Sequence, residues 1–239
     1  MNDNFSKKYG QVFLKDHNIA LKEVSFLSPE DNECILEIGP GHGILTEQLL
    51  KYNINLTVVE PDHRFVDQLN QSYNNFIKSG KLKIIKADFL KLAPGKYDKI
   101  IGNIPYQISS KIIFKILDYD FKMAILMVQK EFAQRLVASP GTPDYSRLTV
   151  NSGIRSQIKI LYNVSRNSFY PVPNVDSSII LIEKREYNID IKKFDLFLIK
   201  LFSMRRKKIS SIIDYHGIYS DKRPYELTID QLIEVYSQS

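Results

Sequence analysis

The sequence predicts an α/β fold with a mostly parallel, seven-stranded sheet, followed by a small helical segment. Three observations predict it. Short apolar runs alternate with amphipathic stretches over most of the 239 residues, and strands separated by helices imply a parallel sheet covered on both faces. The glycine-rich stretch "IGPGHG" ends the first of these runs and opens a helical pattern, as at a turn on the carboxyl edge of such a sheet. Beyond about residue 185 only helical periodicity remains.

The apolar runs are "CILEI" (34–38), "NLTVV" (55–59), "LKIIKA" (82–87), "DKIIG" (98–102) and "MAILMV" (123–128). Helical spacing fills 43–52, 62–73, 109–118 and 130–138. Two later runs, 158–164 and 177–183, flank the proline-rich "FYPVPNVD" and are expected to form a hairpin closing one sheet edge. In "KKFDLFLIKLF", residues Phe194, Phe197, Leu198, Leu201 and Phe202 recur at the spacing of one buried helix face. The expected domains are 1–185, an α/β domain, and 186–239, a small helical appendage.

Composition excludes several classes. Apolar residues make up 44% and charged residues 25%, ordinary for a soluble globular protein. No apolar run approaches the roughly 18 residues of a membrane span, and the N-terminus has no apolar stretch of a secretory signal. A cytoplasmic protein without membrane contact is expected. The single cysteine, Cys34, offers neither a disulfide framework nor a Cys-based metal site; it is expected to be a small buried hydrophobe, and no metal is expected. The net charge of +6 permits nucleic acid without establishing it. Its placement says more: Lys200, Arg205, Arg206, Lys207 and Lys208 fall between Leu196 and Ile213 with no acid among them. Arg205 and Arg206 continue the Phe194–Phe202 stripe, so their arms are expected to cover apolar surface while their heads reach phosphate. A solvated charge run is the alternative.

Gly39 and Gly41 allow a tight turn and close backbone approach to a ligand. A dinucleotide fingerprint would place a third glycine where this chain has Ile44, and no Lys-Ser or Lys-Thr pair follows for a P-loop. Glu60 ends the second run, where a carboxylate in such folds accepts hydrogen bonds from ribose hydroxyls. Asp88 follows the third, placed to accept from an adenine amino group. Each acid alone is more often a solvated loop residue or a helix cap. Together, at the carboxyl edge of one sheet, they outline a nucleoside-shaped crevice without a pyrophosphate grip, which suggests S-adenosyl-L-methionine.

The fourth run ends in "GNIPYQISS". N6 of adenine is a poor nucleophile because its lone pair is delocalised into the ring. Two acceptors, the Asn103 amide oxygen and a backbone carbonyl near Ile104, would bind both N6 hydrogens and draw the nitrogen toward a pyramidal, reactive geometry. Pro105 would fix the turn, and Tyr106 would stack on the base, worth roughly 1–3 kcal/mol. Methylation of a base amino group is the chemistry this turn suggests.

Taken in order, "KKYGQVFL", "LEIGPGHGILT", "VVEPD", "ADFL", "NIPYQISS" and "FYPVPNVDSSII" resemble the ribosomal RNA adenine dimethylases of the KsgA type. The resemblance implies a class I S-adenosylmethionine-dependent methyltransferase, Rossmann-like, and dimethylation of N6 on two adjacent adenosines near the 3′ end of small-subunit rRNA. It implies cofactor contacts at Gln11, Val12, Leu14, Gly39, Gly41, Glu60, Asp88 and Asn103, and a second stacking ring at Phe169. The erythromycin-resistance-type methylases share an NIPY-like motif but act on one large-subunit adenosine. "QKEFAQRLVASPGTPDYSRLTV" (129–150) and "LFSMRRKKI" (201–209) resemble the small-subunit group instead. The implied partner is small-subunit rRNA, within an immature subunit, bound by a monomer. An RNA-binding assembly factor is the reading from another class; a nicotinamide dehydrogenase is disfavoured by Ile44.

Overall fold

The computed structural model describes residues 12–239, and Gln11 lies outside them. Its main sheet contains β2 (Cys34–Ile38), β3 (Asn55–Glu60), β4 (Leu82–Lys86), β5 (Lys99–Asn103), β6 (Met123–Gln129), β7 (Ser156–Val164) and β9 (Ser177–Lys184). They lie in the order β4-β3-β2-β5-β6-β9-β7. The five strands from β4 to β6 run parallel, and β9 pairs antiparallel with β6. The seven apolar runs thus become the seven strands, with ends shifted by at most two residues. The last two are neighbours at one edge, as expected, although a further short strand lies between them in sequence.

That strand, β8 (Phe169–Tyr170), pairs antiparallel with β1 (Phe13–Leu14), setting Phe13 opposite Tyr170 and Leu14 opposite Phe169. Helix α1 (His17–Leu27) follows, its first turn capped by the Asp16 carboxylate accepting from the Asn18 N–H at 2.9 Å. Helices α2 (Ile44–Leu49), α3 (His63–Ser72), α4 (Asn74–Lys78) and α5 (Ser109–Ile116) fill the crossovers. The apolar core joins Ala20, Val24 and Leu27 of α1 to Ile35, Val58, Ile101, Ile125 and Ile179 of the sheet. Cys34 departs from expectation. It opens β2 at the amino edge of the sheet and is exposed, its N–H bound by the Asp98 carboxylate at 2.9 Å.

The chain forms two compact units, 1–130 with 159–184 and 131–158 with 185–239. The sequence boundary near 185 therefore marks only one of the crossings. Residues 131–158, read from sequence as part of the first domain, pack with the C-terminal helices. They comprise most of α6 (Lys130–Leu136) and all of α7 (Arg147–Gly153). Tyr145, Val150 and Ile154 share a core with Phe194, Leu198 and Leu201 of α8 (Ile191–Ser203) and Leu232 and Val235 of α9 (Ile229–Ser237). The buried Tyr145 hydroxyl donates to the Leu227 carbonyl at 2.8 Å. The expected face of α8 is the one buried, with Phe197 and Phe202 at its margin.

Helix α8 ends at Ser203, so Arg205 and Arg206 lie beyond it and do not extend its stripe. The Arg205 guanidinium donates to the Tyr145 carbonyl at 2.8 Å and the Pro143 carbonyl at 3.0 Å. It ties the chain after α8 to the loop before α7. Among the described residues no helix is long and apolar enough to cross a membrane.

Candidate active site

In the order of the sheet, the chain moves outward from β2 in one direction through β3 and β4, and in the other through β5 and β6. Crevices open at the carboxyl ends of strands where the order reverses. A cavity of about 430 Å³ lies there, in the first unit, lined by the ends of β2, β3 and β5 and by β1. The ladder between β2 and β5 ends at Glu37 opposite Ile101, and Ile38 and Asn103, at the ends of the two strands, line the cavity.

The glycine turn follows β2. Gly39 and Gly41 both have left-handed backbone, φ 68° and 53°, which side chains with a Cβ adopt at a cost. A Cβ on Gly41 would also stand 3.0 Å from the Phe13 ring, whereas one on Gly39 would meet nothing within 4 Å. The close approach at Gly41 is thus to β1. Glu60, at the end of β3, is buried and holds this turn: one oxygen accepts from the Gly41 N–H at 3.2 Å, the other from the Asp62 N–H at 2.9 Å. Burial pushes its carboxyl above the usual range, against those two bonds. A carboxylate offers about four acceptor positions, so roughly two remain. Asp88 accepts from the Leu90 N–H at 3.0 Å and lines the cavity.

Asn103 ends β5 on the cavity wall, and its Oδ1 is buried without a hydrogen-bond partner. Buried polar atoms are nearly always paired, so an unpartnered acceptor on a cavity wall fits a ligand donor. Pro105 lines the same wall, and the Ile104 side chain is buried. Val12 and Leu14 lie there with Phe13.

Three expected residues stand outside this lining: Ile104, of which only the backbone carbonyl was expected to act, Tyr106 and Phe169. Tyr106 is half-buried, its hydroxyl 2.7 Å from Ser177 Oγ on β9. Burial raises its phenol, and that bond opposes the rise. Phe169 was expected to offer an open ring. It is 3% exposed, because pairing of β8 with β1 draws it into the core with Leu14, Met127 and Ile179. Tyr170, next to it, is the exposed ring, at 57%.

Other residues were not singled out from sequence. Glu37 lines the cavity; its Oε2 accepts from Thr46 Oγ1 at 2.6 Å, while Oε1 is buried and unpartnered. Burial pushes its carboxyl up to about 8, with the Thr46 hydrogen bonds opposing and Glu60 adding to the rise. An acid inside the apolar run "CILEI" was the available signal. Phe13, His42 and Phe65 form an aromatic trio with centroids 4.7–5.3 Å apart, assembled from three separate elements, which no local pattern announces.

A family model described as ribosomal RNA adenine dimethylase matches residues 2–234. The chain belongs to that family. It is 42% identical to the ribosomal RNA small subunit methyltransferase A of Malacoplasma penetrans, over 92% of this chain and 86% of the relative. The crystal structure of a dimethyladenosine transferase from Plasmodium falciparum superposes with a TM-score of 0.84 at 27% identity, covering 93% of this chain and 95% of the other. That of the 23S rRNA methyltransferase ErmE gives 0.71 at 24% identity, covering 95% and 98%, a likeness of fold. The fold is that of the S-adenosylmethionine-dependent methyltransferases, Rossmann-like, and for a dimethylase of this family the donor is S-adenosylmethionine.

Proposed function

We propose that this dimethylase modifies N6 of two adjacent adenosines near the 3′ end of small-subunit rRNA, acting as a monomer on an immature subunit. The observation that carries the reading is the unpartnered Asn103 Oδ1 on the wall of a nucleoside-sized cavity. The small-subunit assignment draws on the relative from Malacoplasma penetrans and its name.

The cavity wall suits the cofactor. Glu60 keeps acceptor positions for ribose hydroxyls, Asp88 for an adenine amino group, and Glu37 Oε1 is a free acceptor for a cationic amine. Gly39, Gly41, Val12 and Leu14 line the same wall, and Gln11, outside the described residues, is a contact the family resemblance implies. When bound, S-adenosylmethionine supplies an electrophilic methyl group on a sulfonium.

The chain's own part is to orient the acceptor. Asn103 Oδ1 and the Ile104 carbonyl accept the two N6–H bonds, which localises the nitrogen lone pair. Pro105 fixes the angle between these acceptors. Tyr106 stacks on the base, its ring held by Ser177. Phe169 joins the stack only if β8 moves from its buried position, so Tyr106 is the principal platform. The proton on N6 leaves after transfer and needs no strong base. Arg206, Lys207 and Lys208, all exposed on the second unit, contact RNA phosphates; Lys208 first leaves its 2.7 Å ion pair with Asp221. Arg205 serves structure through its carbonyl contacts.

The test uses radiolabelled S-adenosylmethionine with small and large ribosomal subunits from a strain lacking this modification. Dimethyladenosine at two neighbouring small-subunit positions is expected, and Asn103→Ala should lower the rate at least about a hundredfold, a loss typical of a transition-state hydrogen-bond partner. Label in large-subunit RNA would move the protein to the sister activity. Association of Asn103→Ala with immature subunits, with full assembly function, would favour an assembly role. Full methylation by Asn103→Ala would overturn the mechanism.

A further inference from the structure

Behind the cavity wall lies a carboxyl group that the mechanism has not used. Glu23, on α1, is fully buried, and apart from the Asn103 side chain neither of its oxygens finds a hydrogen-bond partner. The Asn103 side chain is its polar neighbour, close enough to favour the charged carboxylate. Helix α1 packs on α2 and β6, and nothing in its apolar face calls for an acid: Ala20, Val24 and Leu27 fill it with hydrocarbon. A buried, unpaired carboxyl is a substantial cost to folding. Glu23 Oε1 and Oε2 and Asn103 Oδ1 are thus enclosed together, with the Asn103 amide as the donor that acts on the carboxyl.

This set has two chemical solutions. An ionised carboxylate accepts only, so it takes an N–H of the Asn103 amide and leaves Oδ1 to face the cavity. A protonated carboxyl donates its O–H to Oδ1, which turns the amide NH₂ outward. Oxygen and nitrogen of an amide have nearly the same shape, and hydrogen-bond partners decide between them. Only the first arrangement can accept N6–H of adenine.

We propose that Glu23 is a positioning residue that sets the amide orientation of Asn103, and that its ionisation switches the site into the accepting arrangement. This rests on Asn103 being the acceptor for N6. Burial pushes Glu23 up to about 8; Asn103 opposes the rise and Glu37 adds to it. Of the ionisable groups around it, Glu37 on β2 acts on it by repulsion. Glu47 on α2 is exposed, β6 carries none, and Lys22 on α1 sits 3.7 Å over the Tyr162 ring. Above that pH the carboxylate form holds, and below it the amide turns. Bound adenine, donating to Oδ1, favours the ionised form. The acid limb in kcat/KM, which reports the free enzyme, is therefore expected near pH 8, and that in kcat at lower pH.

The experiment combines rates from pH 6 to 9 with side-chain amide NMR of Asn103 in the protein alone. In the wild type the Asn103 amide protons should shift across that range, and Glu23→Gln should abolish the shift. Glu23→Leu, which fills the site with hydrocarbon, should lower kcat at least tenfold at every pH while S-adenosylmethionine affinity holds and Tm stays level or rises. Glu23→Gln should recover part of kcat with a flat profile, since its carbonyl can take the same N–H. Wild-type kcat and acid limb in Glu23→Leu, or Asn103 protons insensitive to pH in the wild type, would overturn the proposal. An acid limb retained in Glu23→Gln would assign it to Glu37 and do the same. Full activity of Asn103→Ala would instead sink the reading of Asn103, whatever the amide resonances show.

Discussion

Gly102→Ala is the substitution whose effect follows most directly from geometry. Gly102 precedes Asn103 on β5 and faces the end of β2, where a Cβ would stand 2.6 Å from the Ile38 carbonyl oxygen and 3.3 Å from Ile38 Cβ. The first of these neighbours is backbone, in a strand paired on both sides, and cannot rotate away. Real Cβ contacts begin near 3.0 Å and are comfortable from 3.4 Å, so the two strands must part by roughly 0.4–0.8 Å. Overpacking of this kind costs about 1–3 kcal/mol, which for a chain of this size corresponds to a Tm lowered by about 2–12 °C. The displacement falls on the residue that precedes Asn103. A misplacement near 1 Å costs up to about a hundredfold in rate, so kcat should fall by about ten- to a hundredfold. Glu60 and Asp88 sit on other strand ends, and S-adenosylmethionine affinity should change by less than kcat. Calorimetry, isothermal titration with the cofactor and single-turnover methylation would measure all three. A Gly102→Ala protein with wild-type Tm and kcat would refute the reasoning that the β2–β5 junction sets the position of Asn103.

Ser177→Ala removes the 2.7 Å partner of the Tyr106 hydroxyl; the loss of about 1 kcal/mol should appear as a roughly fivefold drop in kcat/KM for RNA. Tyr106→Phe should lose a similar amount, and the double variant little more; additive losses would show that the two side chains act separately. Replacing Arg206 and Lys207 together by alanine should weaken RNA binding and flatten the slope of log K against log salt by about 1.4–1.8, two phosphate contacts' worth; an unchanged slope would remove them from the RNA surface. Glu23 and Glu37 are both raised from 4.5 to about 8 in the folded protein. Between those values the unfolded chain binds fewer protons than the folded one, so stability falls as pH rises. Tm of the cofactor-free protein should decline from pH 5 to pH 8 and then level; a Tm that climbs over this range would contradict it.

The inner strands were legible because their sequences are nearly continuous apolar runs, as strands buried on both faces must be, and the edge strands β4 and β7 through shorter apolar clusters. The crevice was legible for a related reason: Gly39, Glu60, Asp88 and Asn103 each follow such a run, and a parallel sheet brings those ends to one edge. What escaped depends on partners far away in sequence. β1 and β8 are two residues each, too short for any period, and pair across more than 150 residues. That pairing buries Phe169 and exposes Tyr170. Residues 131–158 joined the second unit through contacts such as Tyr145 to Leu227, 82 residues apart. Arg205 fitted the helical stripe by spacing alone, but the helix ends before it and two carbonyls take its charge. Cys34 sits in an apolar run yet opens it at an exposed edge, where burial has not begun.

Strand β6, "MAILMV" at its heart, lies between β5 and β9, and β9 ends 55 residues after β6 does, at Lys184 rather than Gln129. During synthesis at about 5–20 residues per second, this apolar strand waits roughly 3–11 s for its second neighbour. Throughout that interval it offers a bare row of N–H and C=O groups to any other chain. A ribosome stalled between the two strands leaves an adhesive fragment. Yield of this protein in a cell is therefore set in part by how promptly residues 130–184 are made, and slow codons in that stretch should divert product into aggregates.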